Sequence, residues 1–186
     1  MDHYLDLRVM PDPEFKETTL LGALVSKLHR RLVSMSADDI GISLPDHEQE
    51  PPLGRRLRVH GTQGRLNLLM QDEWLGGMQS LVDATPVQPV PDQVTYRPVR
   101  RRQYKTNAER LRRRRMRRHG ESYEEARQHI PDTVERRVNT PFLSVQSAST
   151  GQRFSLFIEH GPPQQHASPG RFNTYGLSQD ATVPWF

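Results

Sequence analysis

The side chains of this chain that could do chemistry are eight histidines and a crowd of arginines; it has no cysteine. Without thiols there is no disulfide, no thiolate zinc site and no cysteine nucleophile. A two-metal hydrolytic centre needs carboxylates clustered on a rigid scaffold. The densest polar group of that kind, Asp46, His47, Glu48 and Glu50, sits in a loop bounded by Pro45, Pro51 and Pro52 that is expected to be solvent-exposed. That is a poor frame for a metal, and no glycine loop of the Walker type is present to cradle a nucleotide phosphate. Proton transfer near neutral pH therefore falls to histidine, whose unperturbed pKa is about 6.5. His29 lies at the edge of an apolar helical stripe, roughly 80° round from Leu21 at 100° per residue. There it either packs as part of the structure or reaches a ligand. His119 ends a basic run, where it caps a helix or touches a phosphate. His160 and His166 fall in a Gly/Pro-rich segment whose spacing assigns them nothing.

Residues 97–118 carry eleven arginines and Lys105 against a single acid, Glu109, a local net of +11 in a chain whose total is +4. The other 164 residues therefore sum to −7, so an acidic body carries one strongly basic segment. Each phosphate neutralised by Lys or Arg releases counterions, and charge concentrated in this way is the footprint of a polyanion site. The arginine bias favours phosphates and guanine edges, which the planar guanidinium grips as a fork. A merely solvated face would mix the two signs. If the polyanion is RNA and the chain cuts it, the ribose 2′-hydroxyl is an internal nucleophile that asks for a base.

Two small domains are expected to position these groups, in an α+β chain: residues 1–96, carrying His29, and residues 97–186, carrying the basic segment. Residues 3–9 alternate with period two, placing Leu5, Leu7 and Val9 toward a core and Asp6 and Arg8 away from it. Over 16–34 the period becomes helical, with Leu21, Leu24, Val25, Leu28 and Leu32 on one stripe. Strands at 40–44 and 56–60, a helix over 62–75 and a fourth strand at 94–99 complete a βαββαβ, ferredoxin-like order. The proline-rich run 86–91 reads as an ordered loop or bulge before that fourth strand. RRM proteins share this topology, yet the aromatic motif with which they stack bases is missing from 3–9 and 56–60. Recognition must then come from the second half. There the spacing predicts a helix over 106–119, opened by a Thr106–Glu109 capping box and closed by Gly120. Arg110, Arg113, Arg114, Arg117 and Arg118 share one stripe of it and no apolar face is left, which suits a nucleic-acid groove. A second capping box, Ser122 with Glu125, opens a short helix. Strands at 142–147 and 153–159 flank Ser149-Thr150-Gly151 as a hairpin, and a short strand is expected near 172–177. No run approaches the roughly 18 apolar residues of a membrane span, and no leader-like pattern opens the chain, so a cytoplasmic protein without a membrane partner is expected.

With those residues in view, the chain resembles the CRISPR repeat-processing endoribonucleases of the type I-F system, the Csy-subtype pre-crRNA endonucleases. The resemblance runs nearly end to end. It is carried by Pro11-Asp12-Pro13-Glu14-Phe15, Lys27-Leu28-His29, Glu109-Arg110-Leu111-Arg112-Arg113-Arg114, Met116-Arg117-Arg118-His119, Ile130-Pro131-Asp132-Thr133-Val134, Ser149-Thr150-Gly151-Gln152, His160-Gly161-Pro162 and Val183-Pro184-Trp185-Phe186. What it implies is a metal-independent enzyme, with no cofactor, that binds the stem-loop of a CRISPR repeat transcript and cuts at the 3′ base of the stem. It would leave a 2′,3′-cyclic phosphate and a 5′-hydroxyl, hold the product, and join the other subunits of the crRNA-guided surveillance complex. By the same resemblance His29 takes the proton from the 2′-hydroxyl, Ser147 holds that hydroxyl in line, and Tyr175 orients the histidine. Arg101 and Gln103 match a pair that reads base edges at the foot of the stem, and Arg113, Arg114, Arg117 and Arg118 a groove-bound helix. Ser149 and Thr150 match residues beside the scissile phosphate, and Phe154 an aromatic that stacks on a terminal base pair. Arg115 stands where an apolar residue is expected. The alternative is a subunit that binds the RNA hairpin within a ribonucleoprotein and never cuts. A ribosomal or DNA-binding role for the same arginines is a third reading.

Overall fold

The period-two run at the start of the chain forms β1, His3–Val9, with Leu5, Leu7 and Val9 fully buried. The computed structural model describes residues 1–49, 52–104, 108–132, 141–147 and 151–186. After β1 comes α1, Glu17–Ser34, whose stripe Leu21, Leu24, Val25, Leu28 and Leu32 is buried to 1% exposure or less. Burial of a leucine is worth about 2 kcal/mol over exposure, so this stripe and not helix propensity holds α1 in place. The chain continues through β2, Gly41–Ser43, β3, Arg56–Gly61, and α2, Gln63–Gln71, the last capped by the Thr62 hydroxyl accepting from the Arg65 N–H. A 3-10 turn over Gly76–Leu81 leads to β4, Val82–Ala84, and β5, Gln88–Pro89. Then follow β6, Thr95–Arg102, α3, Ala108–His119, α4, Tyr123–His129, β7, Phe142–Gln146, β8, Arg153–His160, and β9, Thr182–Trp185.

The first sheet runs in the order β2-β3-β1-β4, all antiparallel, with β5 also paired to β1, and α1 and α2 pack against β1. This is the expected ferredoxin-like βαββαβ order, but its fourth strand is β4 and not the segment near 94–99. Three residues are too few to carry a period-two signal, which is why β4 escaped the pattern. The proline-rich run supplies β5, where His3 faces Pro89. The segment expected as the fourth strand is β6, which belongs to a second sheet ordered β7-β8-β6-β9. Residues 172–177 form a turn and not the expected strand; the last strand lies later, as β9 against β6.

Charge also enters the body where alternation predicted solvent. Asp6 points away from the leucine face of β1, yet it is only 9% exposed, because Arg58 opposite it on β3 donates from Nε and Nη2 to its two oxygens at 2.7 and 2.9 Å. The same guanidinium donates to the Phe186 main-chain oxygen and lies 4.0 Å over the Phe186 ring, so the aromatic end covers the pair. The loop carrying Asp46 and His47 is likewise not the exposed segment expected. Asp46 is buried against Arg56, and the His47, His160 and Trp185 rings pack on one another in a triangle. Glu50 lies outside the described residues.

By packing, the chain divides into two units, residues 1–101 with 141–186 and residues 102–140. The boundary expected between 96 and 97 falls inside β6, and the hairpin β7–β8 and β9 pack with the first unit. In that unit α1 lies directly on β7: a Cβ added at Gly22 would stand 2.5 Å from the Ser144 carbonyl oxygen, so no larger residue fits at this approach. The second unit is the helical pair α3 and α4. Among the described residues, no helix is long and apolar enough to cross a membrane.

Candidate functional site

The helical period sets His29 on α1 at the margin of its buried stripe, and the structure leaves it half-buried there. Its Nδ1 stands 2.9 Å from the Thr174 carbonyl oxygen. A carbonyl can only accept, so Nδ1 carries the proton and the lone pair of the neutral imidazole is on Nε2. The Tyr175 ring stacks on the imidazole, with centroids 4.0 Å apart and planes within 1°. Two restraints therefore act on one ring: a hydrogen bond sets its rotation and tautomer, and a parallel face limits its tilt. Burial pushes the Tyr175 phenol above its ordinary value against the downward pull of the Arg101 guanidinium, so the hydroxyl stays neutral.

Tyr175 also meets the edge of Phe154, at 6.3 Å and 88°, and the Arg101 guanidinium lies 5.4 Å over the Phe154 ring. Phe154 pairs with Val145 across the β7–β8 ladder, which continues through the Ser147 N–H donating to the Gln152 carbonyl. Val145, paired with Phe154, shares its face of the hairpin, and Ser147 comes one residue after the end of β7. That face also carries Leu143 and Leu156, both fully buried. The structure thus brings His29, Tyr175, Phe154 and Arg101 into one connected cluster, and Ser147 follows the end of β7, the strand paired with the one that carries Phe154. Gln179 brackets the end of β6 by accepting from Arg100 Nε through its carbonyl and donating from Nε2 to the Arg101 carbonyl. Ser149 and Thr150 lie outside the described residues.

The turn that presents Thr174 and Tyr175 replaces the strand expected near 172–177, and the sequence carries its signals. Asn173, three residues before Gly176, is a turn former, and Gly176 adopts φ +71°, a region that favours glycine. A Cβ there would also stand 2.7 Å from Ile42 Cγ2.

In the second unit Gln103 is exposed, as are Arg110, Arg113, Arg114, Arg117 and Arg118, so the predicted arginine stripe of α3 faces outward. The expectation that α3 has nothing to bury is corrected. Ala108 and Arg112 are buried, and Arg112 donates to the Ile130 carbonyl, the Tyr123 hydroxyl and Asp132. Arg115 donates from Nε and Nη2 to Glu121 at 2.6 and 2.9 Å, which accounts for a charge where an apolar residue was expected. These bonds hold the Asp132 and Glu121 carboxyls below their ordinary range. The Ser122–Glu125 capping box opens α4 as predicted. Thr106, expected to cap α3, lies outside the described residues.

Other histidines are taken up by the body. His160 accepts from the Leu44 N–H through Nε2, and burial pushes its pKa down to about 3. His60, fully buried against the Ser43 hydroxyl, is pushed down to about 3 by the same cause. Among the described residues, no three His, Asp or Glu side chains stand together in a way that could hold a metal ion.

The family model described as CRISPR-associated protein (Cas_Csy4) matches residues 4–186. A protein of Pseudomonas aeruginosa (strain UCBPP-PA14), named CRISPR-associated endonuclease Cas6/Csy4, is 50% identical over 187 residues, all of both chains. A protein of the same name from Escherichia coli (strain UTI89 / UPEC) is 42% identical over 186 residues, again all of both chains. A solved chain described as CRISPR endoribonuclease Cse3 bound to 19 nt RNA aligns over 99% of this chain at 13% identity, with a TM-score of 0.39.

Proposed function

This chain belongs to the Cas_Csy4 family of CRISPR-associated proteins, an endonuclease family of crRNA maturation, and from that premise we propose that it cuts the CRISPR repeat stem-loop at the 3′ base of the stem by attack of a ribose 2′-hydroxyl, with His29 as the base. The observation that carries this reading is the imidazole of His29, held through Nδ1 by the Thr174 carbonyl and stacked on Tyr175. A ring held in that way offers Nε2 in one fixed direction, which is what abstraction of a single hydroxyl proton requires.

In the proposed step Nε2 takes the 2′-hydroxyl proton as the 2′-oxygen attacks the adjacent phosphorus. A bond forms from that oxygen to phosphorus and the bond from phosphorus to the 5′-oxygen breaks. The 5′-oxygen takes up a proton, and the products are a 2′,3′-cyclic phosphate and a 5′-hydroxyl. No metal or cofactor is called on. Ser147 holds the 2′-hydroxyl in line, with Ser149 and Thr150 beside the scissile phosphate. Phe154, whose ring edge-packs on Tyr175, stacks on the terminal base pair; such stacking is worth about 1–3 kcal/mol. Arg101 and Gln103 read base edges, the guanidinium suited to guanine and the amide to adenine. Arg113, Arg114, Arg117 and Arg118 grip phosphates with α3, because the deep, narrow major groove of A-form RNA leaves few base edges in reach. The enzyme keeps its product and enters a larger crRNA-guided complex with it.

A 2′-deoxy substitution at the cleavage site, assayed in EDTA against the all-ribose hairpin, tests this chemistry. The ribose substrate is cut in EDTA and the deoxy substrate is bound with similar affinity but not cut. Loss of cutting in EDTA, or cutting of the deoxy substrate, overturns it.

A further inference from the structure

We infer that Asn173 is a positioning residue for the His29 imidazole, acting through the peptide plane between Thr174 and Tyr175; this rests on the reading of His29 as the base. The Asn173 side-chain oxygen accepts from the Tyr175 N–H at 2.8 Å and from the Leu177 N–H at 3.3 Å. The Tyr175 N–H and the Thr174 carbonyl belong to the same peptide unit, which is planar and trans, so they point in opposite directions. One rigid plane therefore carries the Asn173 hydrogen bond on one side and, on the other, the 2.9 Å contact to His29 Nδ1. Fixing the N–H end fixes the carbonyl end. The plane also starts the backbone of Tyr175, whose ring stacks on the imidazole and is also packed by Phe154, so the Asn173 bond bears on both restraints on His29.

The rest of the turn explains why that side chain is needed. Main-chain bonds anchor its ends: Phe172 donates to the Asp38 carbonyl, Asn173 to the Leu177 carbonyl, Gly176 to the Asn173 carbonyl, and Ile42 to the Gly176 carbonyl. None of these engages the Thr174–Tyr175 plane itself. Without the Asn173 oxygen that plane loses the hydrogen bond on its N–H side, and the turn bond from Gly176 to the Asn173 carbonyl alone holds the Thr174 carbonyl less firmly against Nδ1. With that contact weakened, a share of the imidazole carries the proton on Nε2, the atom that must be bare to act as a base. Asn173 is exposed, so its removal empties no core space.

The test compares Asn173→Ala with Asn173→Asp, which keeps an accepting oxygen at the same place, and with His29→Ala. Three readouts are taken on the full chain: the single-turnover cleavage rate of the repeat hairpin at saturating protein, the hairpin Kd, and the 15N signature of the His29 tautomer. The alanine variant is expected to mix the tautomers and to cut about five- to tenfold more slowly, the loss of roughly one hydrogen bond, with Kd within twofold. The aspartate variant keeps the Nδ1–H form and most of the rate. An unchanged tautomer and rate in Asn173→Ala, with His29→Ala inactive, overturns the inference while leaving His29 as base. Normal cutting by His29→Ala would instead overturn the base assignment, and the tautomer signal would still decide whether Asn173 positions the ring.

Discussion

Removing an arginine from α3 should have one of two quite different effects, depending on which way it faces. Arg114, Arg117 and Arg118 are exposed on one stripe, and Arg113 shares that stripe but is tied to Glu109 one turn earlier, Nε to Oε1 at 3.1 Å. Arg115 is spent on Glu121 within its own unit. A phosphate contact made by one arginine contributes about 0.9 to the slope of log K against log salt. Referred to 1 M, that is a factor of about five in affinity at 0.15 M salt. Arg117→Ala should therefore lower the slope by about 0.9 and weaken hairpin binding about fivefold, and Arg117→Ala with Arg118→Ala about 30-fold. Arg113→Ala should cost less, because Glu109 already offsets part of its charge. The control is Arg115→Leu with Glu121→Leu, which removes one charge of each sign and puts an apolar contact where the resemblance expected one; its slope should stay within a few tenths of the parent. Binding titrations at four salt concentrations, with far-ultraviolet circular dichroism to confirm that α3 remains helical, measure all of this. An unchanged slope in Arg117→Ala, or a drop of a full unit in the Arg115–Glu121 double variant, would refute the division of α3 into a gripping face and a bracing face.

Two further consequences concern the body that carries the site. Gly22→Ala puts a methyl group 2.5 Å from the Ser144 carbonyl oxygen, so α1 and β7 must separate. A loss of about 1–3 kcal/mol in urea unfolding is expected, with a slower cut because His29 rides on α1 and Ser147 directly follows β7, the two elements that part. His60 and His160, both pushed down to about 3 by burial, are neutral in the fold but accept protons near pH 6.5 once unfolded. Their contribution is therefore full above about pH 6.5 and is lost as pH falls toward 3; between pH 7 and pH 5 each should cost about 2 kcal/mol. Urea midpoints at the two pH values check this, and His160→Gln, which keeps an acceptor for the Leu44 N–H, should flatten the dependence by its share.

What could be seen in advance was what repeats locally. The leucine alternation of β1, the stripe of α1, the β7–β8 hairpin, the outward arginines of α3 and the Ser122–Glu125 box are all patterns within a few residues of themselves. What could not be seen depends on partners far along the chain. Val82–Ala84 is a strand because β1 is beside it, and Asp6 is buried because Arg58, 52 residues later, neutralises it. Arg112 and Arg115 are built into α3–α4 packing because Ile130, Asp132 and Glu121 receive them, and no hydrophobic pattern registers a packing face made of guanidinium groups. The candidate site divides in the same way. His29 stood out as a histidine at the margin of an apolar stripe. Ser147, Tyr175 and Phe154 had no pattern of their own and rested on the resemblance. The turn from 173 to 177 was hidden by its aromatic and apolar flanks, although Asn173 and Gly176 marked it.

The central claim is that His29 takes the 2′-hydroxyl proton and does little for binding. Its most direct test is the single-turnover cleavage rate of His29→Ala at saturating protein, measured beside the Kd for the uncut hairpin. Loss of a general base should slow the cut by about 10²- to 10⁴-fold with Kd within a few-fold of the parent. Cutting at the parental rate with tight binding would contradict it.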